Sequence, residues 1–108
     1  MKVEDFEGVL ESSLDRSRVI LTEKASEYAS DGDRLANFKQ AAGALEVNPM
    51  EALVAFMTKH YVSVVKMSRN PHIYPLPMWN EKLGDLRNYT ILADALVRDM
   101  REPGEDIV

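Results

Sequence analysis

Residues 48–68 read Asn-Pro-Met-Glu-Ala-Leu-Val-Ala-Phe-Met-Thr-Lys-His-Tyr-Val-Ser-Val-Val-Lys-Met-Ser, and the first four of them announce a helix. Asn48 offers a short side-chain acceptor to the free amides of a helix start, and Pro49 suits the first helical position. Glu51 stands three residues after Asn48, where a carboxylate reaches back to the N–H of the cap. Beyond this start, Leu53, Met57, His60, Val64 and Met67 recur at steps of three and four, the mark of one helix face. The pattern predicts a helix over 49–68.

Working outward, Pro71, Pro75 and Pro77 fall within 69–77, and proline excludes a continued helix or a central strand. An ordered surface crossing is predicted there, anchored by Ile73, Tyr74 and Leu76. A last helix follows from Met78 or Asn80 to Met100, with Leu83, Leu86, Thr90, Ala93, Val97 and Met100 as its apolar stripe. Pro103-Gly104 ends it and leaves an acidic tail over 102–108. On the other side, residues 34–45 predict a short helix with Leu35, Phe38, Ala41, Ala42 and Leu45 on one side and Asp33 as N-cap. Before it, Ser30-Asp31-Gly32-Asp33 breaks the chain, with Gly32 suited to a left-handed turn. The first segment, Val3 to Tyr28, places Val3, Phe6, Leu10, Leu14, Leu21, Ala25 and Tyr28 on one face, with Ser12, Ser13 and Ser17 able to bend or interrupt it. No strand pattern or internal repeat is present. The expected fold is all-α, a compact bundle of about four helices in a single domain over 1–108.

The chain has 108 residues, 45% of them apolar, enough for one modest core. A chain of this size gains from pairing with a copy of itself, so a homo-oligomer is expected. A net charge of -5, with Lys and Arg scattered among acids, argues against a nucleic-acid or anionic-membrane partner, since both need a concentrated basic patch. Cysteine is absent, which removes disulfides and thiolate metal sites. No apolar run reaches the roughly 18 residues of a membrane span, and the first residues are acidic and mixed where a signal peptide would be basic and then apolar. A cytoplasmic setting is expected.

Candidate chemistry begins on the last helix. Glu81, Asp85, Asn88 and Leu92 line up at steps of four, three and four. Two carboxylates one turn apart repel each other unless a cation lies between them, and Mg²⁺ takes such oxygen ligands; a solvated helix face is the plain alternative. His60 lies on the apolar side of its helix, either as a hydrogen-bonded core residue or facing Glu81 or Asp85, which would raise its pKa and fit it to carry a proton or touch phosphate. Lys59 is its neighbour and a possible phosphate contact. The turn from Glu27 to Arg34 gathers Glu27, Asp31, Asp33 and Arg34 around a helix start, where free amides favour anions. Asn37 and Phe38 follow on that helix. Trp79 either packs in the core or offers a stacking surface. His72 in the proline loop reads as incidental. Glycine-rich phosphate loops, dinucleotide fingerprints, His-Glu-x-x-His and cysteine nucleophiles are absent.

Taken in order, Glu27-Tyr28, Gly32-Asp33-Arg34, Asn37-Phe38, Pro49 to Leu53, Met57-Thr58-Lys59-His60, Glu81-Lys82 to Asp85 and Asn88-Tyr89 resemble a group of small bacteriophage and prophage proteins of unknown function. That group is in turn similar to the MazG-like all-α nucleoside triphosphate pyrophosphatases, which hold Mg²⁺ with acids from two helices. The resemblance covers about 23–96. It implies a MazG-like helical fold, a homo-oligomer in the host cell cytoplasm and a nucleotide as ligand. It further implies metal ligands at Glu27, Glu81 and Asp85, phosphate or nucleotide contacts at Arg34, Asn37, Lys59, Asn88 and Tyr89, and catalytic roles for His60 and Lys59. The chain departs from the pyrophosphatase pattern at two places. Glu81 and Asp85 are four apart where three is usual, and Lys59-His60 occupies the region of the second acid pair. Three functions follow: a Mg²⁺-dependent nucleotide pyrophosphatase, a non-catalytic nucleotide-binding protein that sequesters its ligand against host defence, and a helical protein-interaction module.

Overall fold

The computed structural model describes residues 1–23, 32–101 and 104. Among the described residues there are four α-helices and no strand: α1 (Val3–Arg18), α2 (Ala36–Leu45), α3 (Pro49–Ser68) and α4 (Leu76–Asp99). The all-α bundle expected from the pattern is therefore the fold. No described helix is long and apolar enough to cross a membrane.

Helix α3 starts as its first residues dictate. The Asn48 Oδ1 accepts from the Glu51 N–H at 3.0 Å, and a Glu51 carboxylate oxygen accepts from the Asn48 N–H at 3.3 Å, so two otherwise orphaned donors are satisfied reciprocally. Helix α2 begins at Ala36, two residues later than expected. Asp33 is not its N-cap residue, that position being Leu35. The Asp33 carboxylate instead accepts from the Leu35 N–H at 2.9 Å, and its second oxygen takes Lys39 Nζ at 2.6 Å. Lys39 also reaches Asp99 at 2.8 Å, tying α2 to the end of α4. At its C-terminus α2 stops with Glu46 in the left-handed region at φ 57°, while the Val47 N–H caps the Ala42 carbonyl.

Helix α4 starts at Leu76, earlier than expected, because Pro77 falls in the first turn, where a missing N–H costs nothing. The crossing before it is a 3₁₀ turn over Pro71–Ile73. Ile73 and Leu76 are exposed and anchor nothing; Trp79 holds this crossing, its indole N–H donating to the Pro71 carbonyl at 3.0 Å and its ring meeting Tyr74 edge-on at 6.5 Å. Trp79 is thus half-buried and outside the core cluster.

The core is small: Leu35, Phe38, Leu53 and Leu96, with Met50, Tyr89, Leu92 and Ala93 packed around them. It joins α2, α3 and α4, and α1 packs on α4. Two apolar stripes face outward instead. On α1, Val3 is 70% and Phe6 58% exposed, with Leu10 and Leu14 also exposed. On α4, Leu83, Thr90, Val97 and Met100 are exposed, and the buried positions are Gly84, Asn88 and Leu96. The helix face that looked polar is the inner one. Helix α1 ends at Arg18 and passes into one π turn, Val19–Glu23, uninterrupted at Ser12 or Ser13. Ser17 is buried against α4, and the expected positions Ala25 and Tyr28 lie outside the described residues.

Candidate functional site

The inner face of α4 explains where the polar residues go. Asn88, Tyr89 and Leu92 point between α2 and α3, and Asp85 stands one turn earlier at the rim. Opposite them, α3 presents His60 and α2 presents Asn37 and Phe38; Arg34 and the π turn's Ile20 and Leu21 close the end. Together these residues line a cavity of about 230 Å³.

The described polar groups in the cavity are arranged specifically. His60 Nδ1 lies 3.3 Å from an Asp85 carboxylate oxygen, an electrostatic contact when the imidazole is protonated. The His60 ring lies over Tyr89, centroids 5.1 Å apart and 33° between planes, and Phe38 meets Tyr89 edge-on at 6.3 Å. Arg34 turns its Nε toward the Leu21 carbonyl at 3.4 Å, which fixes the guanidinium against the end of the π turn. Asn88 is only 6% exposed. Its Oδ1, and that of Asn37, are buried without a hydrogen-bond partner. A buried acceptor left unmade costs roughly 1–3 kcal/mol, and native interiors satisfy nearly all such groups. Two carboxamide oxygens without a partner therefore line one cavity, where they can accept from an N–H or O–H donor.

Compared with protein-family models, curated proteins and solved structures, the chain finds no match.

Of the residues singled out from sequence, Arg34, Asn37, His60, Asp85, Asn88 and Tyr89 converge on the cavity. Lys59 does not: it is exposed on α3, one residue round the helix from His60. Glu81 is also outside the cavity, its side chain 67% exposed and 4.0 Å from Lys82. Glu27 and Asp31 lie outside the described residues. Among the described residues no group of three or more His, Asp or Glu side chains is arranged to hold a metal ion. The steps of four and three put Glu81 and Asp85 on one stripe, but the stripe crosses the edge of the bundle between them, so one carboxylate meets solvent and the other meets His60.

Sequence reading missed three residues that shape the neighbourhood. Ser17 of α1 is 2% exposed and accepts a hydrogen bond from Arg87 Nε at 2.6 Å. Arg87 folds back along α4 over Gly84, where a Cβ would stand 3.4 Å from its Nη2. Arg16 stands beside the same cleft. No periodicity marks these residues, because a serine in a polar run and an arginine on a polar helix side look alike whether buried or wet.

Proposed function

We propose that this protein is a nucleotide-binding protein that holds its ligand without needing metal, consistent with a phage-type sequestering role. The observation that carries the reading is the pair of orphaned oxygens, Asn37 Oδ1 and Asn88 Oδ1, in one cavity. Acceptors of this kind recognise N–H donors, such as the exocyclic amine of a nucleobase, and Tyr89 and His60 supply ring faces beside them. The cavity is smaller than the roughly 300–1,000 Å³ of sites that enclose drug-sized ligands, so it suits a base while sugar and phosphates extend outward. Arg34 stands at its end to meet an acceptor on the ligand.

The test is a thermal-shift and calorimetric screen of adenine, cytosine, guanine, uracil and hypoxanthine nucleotides with and without EDTA. EDTA-insensitive binding that favours amino-bearing bases, with the ligand recovered intact, is the expected result. No binding by any nucleotide sinks the reading.

A Mg²⁺-dependent pyrophosphatase is the second reading. It is favoured by the Asp85 carboxylate at the rim of a cavity that already presents two amide oxygens, since Mg²⁺ takes oxygen ligands and retains waters. It requires Glu81 and Glu27 to complete the site with Asp85, and turnover in the same screen that vanishes in Glu81→Gln supports it. In either reading we propose that the working form is a homo-oligomer.

A further inference from the structure

We infer that Arg16 of α1 and Arg87 of α4 form a phosphate-binding site in the cleft between these helices, where they receive the phosphates of a nucleotide whose base occupies the cavity. The inference rests on the nucleotide-binding reading for its ligand, and the cleft adjoins the base cavity.

The cleft has a volume of about 340 Å³ and borders Arg16, Arg87, Asn80 and Glu81. It shares Ile20, Asp85 and Asn88 with the base cavity, so one ligand can span both along the same turn of α4. Arg87 is pre-positioned: Ser17 takes its Nε, and its Nη2 lies over Gly84. That leaves the terminal nitrogens of the planar fork for a bidentate acceptor, the geometry guanidinium offers to phosphate. Neither Arg16 nor Arg87 makes an ion pair among the described residues. Both side chains border the same cleft, and burial, then the Arg16 charge, lower the Arg87 pKa. Holding two guanidiniums together is costly unless an anion joins them.

The acids at the cleft do not supply that anion. Asp85 faces His60, and Glu81 turns to solvent beside Lys82. Glu81 still repels an incoming phosphate, which gives the inference a distinctive sign. Removing its charge strengthens phosphate binding here, whereas it destroys a metal site that uses Glu81 as ligand.

Calorimetry at low salt with a nucleoside, its triphosphate and inorganic tripolyphosphate tests this. The triphosphate is expected to bind at least about tenfold tighter than the nucleoside, a charge-assisted contact being worth roughly that factor or more. Arg16→Gln, at an exposed position that leaves the fold intact, and Arg87→Gln are each expected to close most of that gap, and Glu81→Gln to widen it severalfold. Equal affinity for nucleoside and triphosphate, or a gap that persists in both arginine variants, overturns the inference while leaving base binding in place. If the nucleoside itself does not bind, the nucleotide reading fails and tripolyphosphate alone decides. Arg16-dependent binding then supports the site, and no binding overturns it.

Discussion

Asn88 is buried and polar, and its Oδ1 has no partner, an arrangement that costs stability. Replacing it with leucine removes the orphaned acceptor and puts methyl groups against Leu92 and the cavity. The expected outcome is a ligand-free melting temperature equal to or above wild type, together with loss of the nucleotide-induced shift. Asn88→Asp places an unpaired carboxylate at the same buried point and is expected to lower the melting temperature by several degrees at neutral pH. A leucine variant that melts well below wild type would show that the Asn88 amide is satisfied in the fold, and would remove its orphaned oxygen from the account. By contrast, Leu53, 0% exposed at the centre of the core, makes no polar contact. Leu53→Ala is expected to cost about 2–5 kcal/mol in urea unfolding and to touch binding only through the fold.

Among the elements, α3 was the most legible because its start is encoded by local chemistry. Asn48, Pro49 and Glu51 specify a capping box that the structure forms, and Asn48→Ala is expected to cost about 1 kcal/mol in denaturant unfolding with binding unchanged. The start of α4 was less legible, since a proline inside a first turn reads the same as one that breaks a helix. Its facing was not legible at all. Leu83, Thr90, Val97 and Met100 satisfy every rule for a buried stripe, yet Gly84, Asn88 and Leu96 are inside. Periodicity reports which side is apolar, and it cannot say whether that side covers the chain's own core or meets something else. Of the candidate site, spacing along α4 placed Asp85 and Asn88 on one stripe, while the roles given to Asn37 and Tyr89 came from the resemblance; that Arg34, Asn37, His60, Asp85, Asn88 and Tyr89 line one cavity needed the packing of three segments. The Ser17–Arg87 contact joins residues far apart in sequence and left no local signal. Helix α2 is held to α4 by Lys39 between Asp33 and Asp99. The Lys39 hydrogen bond, followed by the Leu35 N–H, lowers the Asp33 pKa below its usual 3.8. A depressed carboxylate adds stability above its unfolded pKa, and that contribution is lost as pH falls through the folded value. Unfolding followed from pH 6 to 2 is therefore expected to show an acid-sensitive component below about pH 4 that Lys39→Met diminishes; an identical acid profile in that variant would remove the ion pair from the account.

At the scale of the whole molecule, the exposed surface supports the proposed homo-oligomer. The chain exposes 7,912 Å² for 12.2 kDa, against about 6,100 Å² for a folded monomer of that mass. Its radius of gyration is 16.2 Å, against about 13 Å for a compact chain of this length. The excess surpasses the roughly 800 Å² each partner gives to a standard interface. Much of the described apolar exposure is continuous. The α4 stripe of Leu83, Leu86, Thr90 and Val97 carries no charge and runs into a groove where Met57 and Tyr61 of α3 meet Leu86 and Thr90. A two-fold dimer uses one patch on both copies, and an uncharged seam brings no like charges together when it meets itself, so a second copy of this chain is the occupant we propose, forming a four-helix interface from two α3–α4 pairs. Light scattering behind size exclusion is expected to give twice the chain mass. Leu83→Glu combined with Val97→Glu, both at exposed positions that leave the monomer's core intact, is expected to give the monomer mass with helical content preserved. Phe6→Glu on the separate α1 stripe is expected to leave the dimer whole. A monomeric wild type, or a dimer broken by the α1 change and not by the α4 pair, would place the partner elsewhere.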